Sequence, residues 1–463
     1  MLQNYLKIAL RTIFKHRLFS FINIFGLALS LSFCMLVIVI INDQNSFDRF
    51  HPRENDIYRM LTVAHRKSGG TEKYASSPRP LGVVLETESA SVEKVVQLTR
   101  GLFGDAKYGQ VNISISGFFT DRVFFDVFGF RLAKGDPATA LELPNTIVLT
   151  AETAEKFFGD EDPLGKTVSI DRLTDFIVTG VLQPLNGKTH FVFDALASSA
   201  SLAVLEKENK IRPVLEDWKN YYANYNYLRL HQGNAPGTLQ PLLSEIPGRF
   251  YGNQILESRD KGYSFELQPL TGITPGPILS NNLGRAMPEM MLVFLSVLAF
   301  IGMVAAVFNY TNLTMARSLT RAKEVGVRKV TGALRRQLFL QFVVESIFIV
   351  LLALSFALLI LKAFLIPGFQ QLQLSGSFDL DFIIDYQVVL FFLGLSALIG
   401  LIAGLLPATF MSAFRPAQIL SDLSKIKVLS KITLRKVLIV FQFVLAITLI
   451  IIVTAVYKQI DYA

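Results

Sequence analysis

The chain has 463 residues, 51% of them hydrophobic, and a formal net charge of +8. Its mean hydropathy is +0.42, and the apolar residues gather in a few long runs, which is a membrane protein's distribution. A single cysteine, Cys34, excludes a disulfide framework or a thiolate metal site within one chain, and His16, His51, His65, His190 and His231 form no pair at ligand spacing.

Residues 1–18 carry four Lys/Arg and no acid, and read as a cytoplasmic amphipathic helix. Leu2, Leu6, Ile13 and Phe14 would face the bilayer surface, with Lys7, Arg11, Lys15 and Arg17 toward headgroups; a plain cytoplasmic extension is the alternative. A first span is expected at 19–41, its apolar run too long for the core of a secretory signal.

Residues 42–289 form a block with 26 bases and 30 acids, large enough for a core of its own and expected as two α+β lobes. Strand-like runs lie at 92–100, 112–116, 145–150, 166–170, 175–182, 224–230 and 263–270, and helical ones at 151–158 and 236–247. Inside this block FFGDEDPLGKTV (157–168) imitates a phosphate-binding loop. Five residues separate Gly159 from Gly165 where that loop needs four, Pro163 removes a backbone donor, and a strand pattern follows Lys166-Thr167 where a helix is required. The segment is read as turn residues between a helix and a hairpin.

Further spans are expected at 290–311, 338–366, 388–411 and 437–457, separated by stretches 312–337, 367–387 and 412–436. Residues 313–337 carry seven Lys/Arg against Glu324, and 412–436 carry six against Asp422, whereas 367–387 have three aspartates and no base. The alternation places the N-terminus and the basic stretches in the cytoplasm and the 42–289 block outside it. The excess base thus sits beside membrane spans, and nucleic acid is not needed to explain it.

The stretch 315–346, MARSLTRAKEVGVRKVTGALRRQLFLQFVVES, has apolar residues near helical spacing with charges between them. Gly326 and Gly332 interrupt it and mark breaks or close contacts. It is either a docking surface for a soluble partner or a solvated basic loop near lipid. Glu324 can pair with Arg321 or Arg328. Glu345, early in the third span, either pairs with an interfacial Arg or Lys or serves proton coupling. Pro407 in the fourth span frees a carbonyl, as a hinge or a tolerated break, and Lys362 is expected to snorkel outward.

Arg321-x-x-Glu324-Val-Gly326-Val-Arg328-Lys329, followed by Thr331-Gly332-Ala333, resembles the cytoplasmic signature of FtsX-like permeases, the membrane subunits of ABC transporters of the MacB and LolC/LolE kind. FFDVFGFRLAKGDPATAL (124–141), NTIVLTAETAEKFFGDEDPLGKTV (145–168) and FDALAS (193–198) are similar to phrases of the MacB-type periplasmic core domain, and FRPAQIL (414–420) to the family's closing motif. The resemblance implies a membrane α-helical protein of about five transmembrane helices with a large α+β extracytoplasmic domain between the first two. It implies a multi-pass protein of the bacterial inner membrane, non-catalytic, and without a cofactor of its own. ATP and Mg would be bound by a separate cytoplasmic ATPase dimer docking on a coupling helix through Arg321, Glu324, Gly326, Arg328, Lys329 and Gly332. The other partners implied are a second permease half or copy, a periplasmic adaptor or outer-membrane component, and membrane lipids. The function implied is mechanotransmission for drug or peptide efflux or lipoprotein-like export; regulation of a cell-wall hydrolase or sensing of antimicrobial peptides is the alternative. The four-span form of the family ends after the fourth span, so the fifth makes the chain resemble the first half of the eight-span form plus one helix, and a truncated chain is the expectation.

Overall fold

The computed structural model describes residues 2–185, 187–252, 256, 259–371, 386–412 and 429–462. The chain separates into two compact units, one made of Met1–Asp43 and Met290–Ala463, the other of Gln44–Glu289.

Helix α1 (Leu2–Lys15) and helix α2 (Arg17–Asn45) meet at His16. Then follow β1 (Ile57–Arg66), β2 (Thr71–Tyr74), α3 (Arg79–Glu88), β3 (Val92–Tyr108), β4 (Val111–Thr120), α4 (Val123–Phe128) and β5 (Leu132–Lys134). The domain is completed by β6 (Thr146–Leu149), α5 (Ala151–Phe158), β7 (Thr167–Ile170), β8 (Asp175–Leu182), β9 (Ala195–Ser198), α6 (Ser201–Lys207), β10 (Asn224–Leu230), α7 (Gln240–Tyr251) and β11 (Asp260–Pro269).

These strands form one sheet in the order β11-β1-β10-β3-β4-β9-β6-β8-β5, with β2 beside β1 and β7 beside β3 and β8. A single sheet runs through the whole domain. Its continuity comes from β3, whose first half pairs with β10 from Val92 to Thr99 and whose last residues, Ala106 and Lys107, pair with β7. Separate apolar clusters gather along this sheet, one around Phe124, Phe128 and Tyr227, one around Phe119, Phe157 and Phe176, and one around Leu81, Leu228 and Ile246. The nucleotide-loop mimic is punctuation. Thr150 caps α5 by accepting from the Thr153 N–H at 3.3 Å, Gly159 ends it at φ 54°, and Thr167 opens β7 after Gly165 at φ 76°.

Beyond the sheet run α8 (Glu289–Val330), α9 (Arg335–Ile360), a π-helical turn at Leu361–Leu365, α10 (Ile366–Gln371), α11 (Tyr386–Ser412) and α12 (Leu429–Tyr462). Among the described residues four helical stretches are long and apolar enough to cross a membrane: Arg17–Asn45, Glu289–Arg317, Arg335–Phe369 and Val388–Ser412. The fifth expected span falls on α12, whose described apolar run, Ile439–Ala455, is shorter than those four. Parts of 367–387 and 412–436, with the FRPAQIL segment, lie outside the described residues. Lys362 is exposed in the π-helical turn.

The second span and the expected coupling helix are not separate elements. α8 is continuous for 42 residues, because nothing between Thr311 and Val330 breaks it and Gly326 sits buried in its interior. The break comes at Gly332, whose φ of +100° is a left-handed conformation that a side chain would strain.

Candidate functional site: the basic elbow

α8 and α9 meet in a tight elbow. The N–H groups of Thr331, Gly332 and Ala333 donate to the carbonyls of Val327, Lys329 and Arg328 at 3.0, 3.1 and 2.9 Å, closing the end of α8. One turn later Gln337 Oε1 accepts the Leu334 N–H at 3.0 Å and so caps the start of α9.

Four cations on the α8 side of this elbow, Arg317, Arg321, Arg328 and Lys329, turn inward and fasten neighbouring helices. Arg321 Nη1 donates to Glu345 Oε1 at 2.9 Å and Nη2 to Glu345 Oε2 at 3.1 Å, a bidentate pair between α8 and α9. The same Nη2 reaches Thr12 Oγ1 of α1 at 3.3 Å, and the guanidinium lies 5.4 Å from the Phe342 ring centroid. Arg317 sits over the Phe19 ring of α2 at 4.1 Å. Tyr310 donates to Ser346 Oγ at 2.8 Å. These groups enclose a cavity of about 30 Å³, room for a water and not for a transported molecule.

Arg328 donates to Glu324 Oε1 at 2.6 Å and to Gln341 Oε1 at 2.9 Å, while Lys329 Nζ donates to the Ser412 carbonyl at 2.7 Å. The ammonium thereby meets a backbone carbonyl in the last described turn of α11. Pro407 lies inside α11 and, lacking an N–H, leaves the carbonyl four residues earlier without its helical donor. That carbonyl belongs to Ala403, and Thr311 Oγ1 of α8 donates to it at 3.3 Å. α9 and α11 approach closely where Gly404 faces Ser346 and Gly400 faces Ile347; a Cβ on Gly400 would stand 2.6 Å from the Ile347 Cα.

Glu324 therefore pairs with Arg328, and Glu345 with Arg321. Of the six residues expected to dock an ATPase, Gly326 is buried, Arg321, Arg328 and Lys329 are half-buried and bonded within the chain, and Glu324 and Gly332 are exposed. What the elbow presents outward is different: Val327, Val330 and Leu334 are 58, 64 and 65% exposed, beside exposed Arg335 and Arg336. The sequence places Val330 and Leu334 among the apolar residues at helical spacing, but the charges between them drew the docking role, and Val327 stood out by neither signal. The available signal for Val327 was its spacing from Val330, with which it shares a helix face next to the glycine turn.

Spanning-length helices, an elbow that ties four of them together and one large sheet domain define a multi-pass membrane protein. Residues 20–240 match the MacB-like periplasmic core domain and residues 296–416 the FtsX-like permease C-terminal domain. The chain belongs to the FtsX-like ABC transporter permeases that carry a MacB-like core domain. It is 23% identical over 439 residues to the uncharacterized ABC transporter permease YvrN of Bacillus subtilis (strain 168), covering 90% of this chain and 98% of that protein. It is 31% identical over 287 residues to the macrolide export ATP-binding/permease protein MacB of Bdellovibrio bacteriovorus, covering 59% of this chain but 38% of that protein. Among solved structures, a permease-protein domain from Porphyromonas gingivalis aligns over 54% of this chain and 99% of its own at 18% identity, with a TM-score of 0.42.

Proposed function

We propose that this permease couples ATP hydrolysis by a separate cytoplasmic ATPase dimer to movement of its core domain, in the service of drug or peptide efflux or of lipoprotein-like export. The N-terminus and the elbow lie in the cytoplasm and the core domain outside it, in keeping with the seven Lys/Arg on residues 313–337. ATP and Mg belong to the ATPase. A second permease half or copy completes the membrane unit, and an adaptor or outer-membrane component receives cargo beyond it.

The observation that carries this reading is the elbow's exposed apolar tip, Val327, Val330 and Leu334, rimmed by Arg335 and Arg336. It stands on a base held by the Arg321–Glu345 and Lys329–Ser412 bonds. An apolar centre with a charged rim is the composition of a protein-binding patch. The expected docking set thus divides by role: Glu324 and Gly332 lie at the surface, while Arg321, Gly326, Arg328 and Lys329 hold the elbow in shape. An ATPase shifts the helices only as far as it binds one arrangement better than the other, and a stiff elbow conveys that difference.

The test is co-purification of the full chain with its cytoplasmic ABC ATPase. Val327→Asp combined with Leu334→Asp should abolish capture while leaving the chain folded and membrane-inserted. Undiminished stoichiometric capture by this double variant would refute docking at the tip.

A further inference from the structure

The core domain holds an open cleft of about 690 Å³ where its long central strand is left unpaired on one edge. Up to Thr99, β3 is paired with β10, and from Ala106 with β7. At the two ends of the gap, the Arg100 N–H donates to the Ala223 carbonyl at 2.7 Å and the Asp105 carbonyl accepts from the Asp171 N–H at 2.9 Å. Among the described residues no strand pairs with Gly101–Gly104 on this edge; β4 occupies the other. In an antiparallel ladder a residue's N–H and C=O face one edge, and alternate residues share it. Since Asp105 turns its carbonyl to the gap, Phe103 turns its own backbone donor and acceptor there too. The register shift between Thr99 and Leu102, with Gly101 at φ 121° and Gly104 at φ 144°, bends the strand and holds the gap open.

The walls are of mixed character. Ile211, Leu173 and Val214 supply aliphatic surface, and the Phe103 ring is 69% exposed at the cleft. Arg100, Arg172, Lys210 and Arg212 line it with Asp105 and Asp171; Arg172 stands 3.9 Å from Asp171 and Lys210 pairs with Glu208 at 2.9 Å, so four cations face three carboxylates. An unpaired strand edge accepts another extended chain through main-chain hydrogen bonds, and the excess of cations selects its charge. The volume lies in the range of small-ligand pockets and limits the occupant to a short segment.

The geometry points to this cleft as a binding site for a short, extended acidic peptide, free in solution, which adds to β3 as a strand between β10 and β7. The site lies wholly within the core domain and does not depend on the ATPase, so its failure and that of the docking reading are separable.

The experiment uses the full chain in nanodiscs and labelled acetyl-Glu-Val-Glu-Val-Glu-amide, followed by fluorescence anisotropy. Saturable binding is expected, together with slowed amide hydrogen exchange over residues 101–104. The same peptide N-methylated at its three central amides loses the main-chain donors and should not bind, and the lysine counterpart, acetyl-Lys-Val-Lys-Val-Lys-amide, should bind more weakly. Lys210→Glu combined with Arg212→Glu, both on the exposed rim, should weaken the acidic peptide by about tenfold or more. No saturable binding, equal binding of the N-methylated peptide, or protection confined to amides outside 101–104 would each overturn strand addition. Equal affinity in the double variant, or for the lysine peptide, would overturn the charge selection.

Discussion

Arg321 and Glu345, 24 residues apart in the chain, lock α8 to α9 through paired N–H···O bonds of 2.9 and 3.1 Å in a largely buried setting. Removing one partner strands the other charge away from water, which costs far more than the intact pair contributes. Arg321→Ala or Glu345→Ala should each lower stability by roughly 3 kcal/mol, and the double change to methionine should recover most of that loss. Thermal unfolding of the detergent-solubilised chain measures all three. Single variants that unfold with the wild type would remove the pair from the elbow's architecture.

The Thr311 hydroxyl and the Ala403 carbonyl are coupled through Pro407, which has no N–H to give that carbonyl. Thr311→Val should cost about 1 kcal/mol, because it leaves a buried carbonyl unbonded. In a Pro407→Ala background the helix supplies its own N–H, and the same change should cost close to nothing. A double-mutant cycle on thermal stability gives the coupling directly. Additive losses would mean that Thr311 does not compensate for the proline.

Gly400 has no room for a side chain, since the obstruction is the Ile347 backbone itself. Gly400→Ala should push α11 from α9 and destabilise by about 1–3 kcal/mol, as overpacking does. At Gly394 an added methyl would meet nothing within 4 Å, which makes it the matched control, and Gly394→Ala should be neutral or slightly stabilising. Equal unfolding temperatures for the two variants would mean that the close approach at Gly400 does not hold the helices together.

In the core domain Asp48 is fully buried and accepts from Thr189 Oγ1 at 2.7 Å, from His190 Nδ1 at 2.8 Å and from His51 Nε2 at 3.1 Å. Burial alone would raise its carboxyl pKa; His190 and His51 reverse this and hold it below the ordinary range. Complete burial holds the His190 imidazole below its ordinary 6.5 despite the carboxylate beside it, and Nε2 faces the Tyr227 hydroxyl at 2.8 Å. The unfolded chain therefore takes up this proton first. The His190 contribution is fully present above about pH 6.5 and falls as pH drops below it. That of Asp48 persists until the pH falls below the unfolded carboxylate value. Thermal midpoints from about pH 8 to pH 5 should decline, and His190→Gln should flatten the slope.

Much of this fold was legible in the chain. The helix at Ala151–Phe158 and the strands at Asp175–Leu182 and Asn224–Leu230 fall where periodicity placed them, because each is bounded by residues with their own backbone reasons to stop. β1 was missed: Ile57–Arg66 is buried on both faces over most of its length and so lacks alternation. α8 was divided in two because its hydropathy changes at Arg317 while its backbone does not. At the elbow the sequence showed which residues carry charge but not where the charges turn. The Arg321–Glu345 pairing depends on how α8 and α9 pack after a turn, which spacing within one helix cannot report.

The 42 unbroken residues of α8 make a rod of about 63 Å, roughly twice the hydrocarbon thickness of a bilayer. Such a shaft behaves as a lever: pivoting by about ten degrees around its midpoint sweeps either extremity through about 5 Å. A push on Val330 would thus arrive at Glu289 as a displacement of comparable size and opposite sense, without any joint between to absorb it.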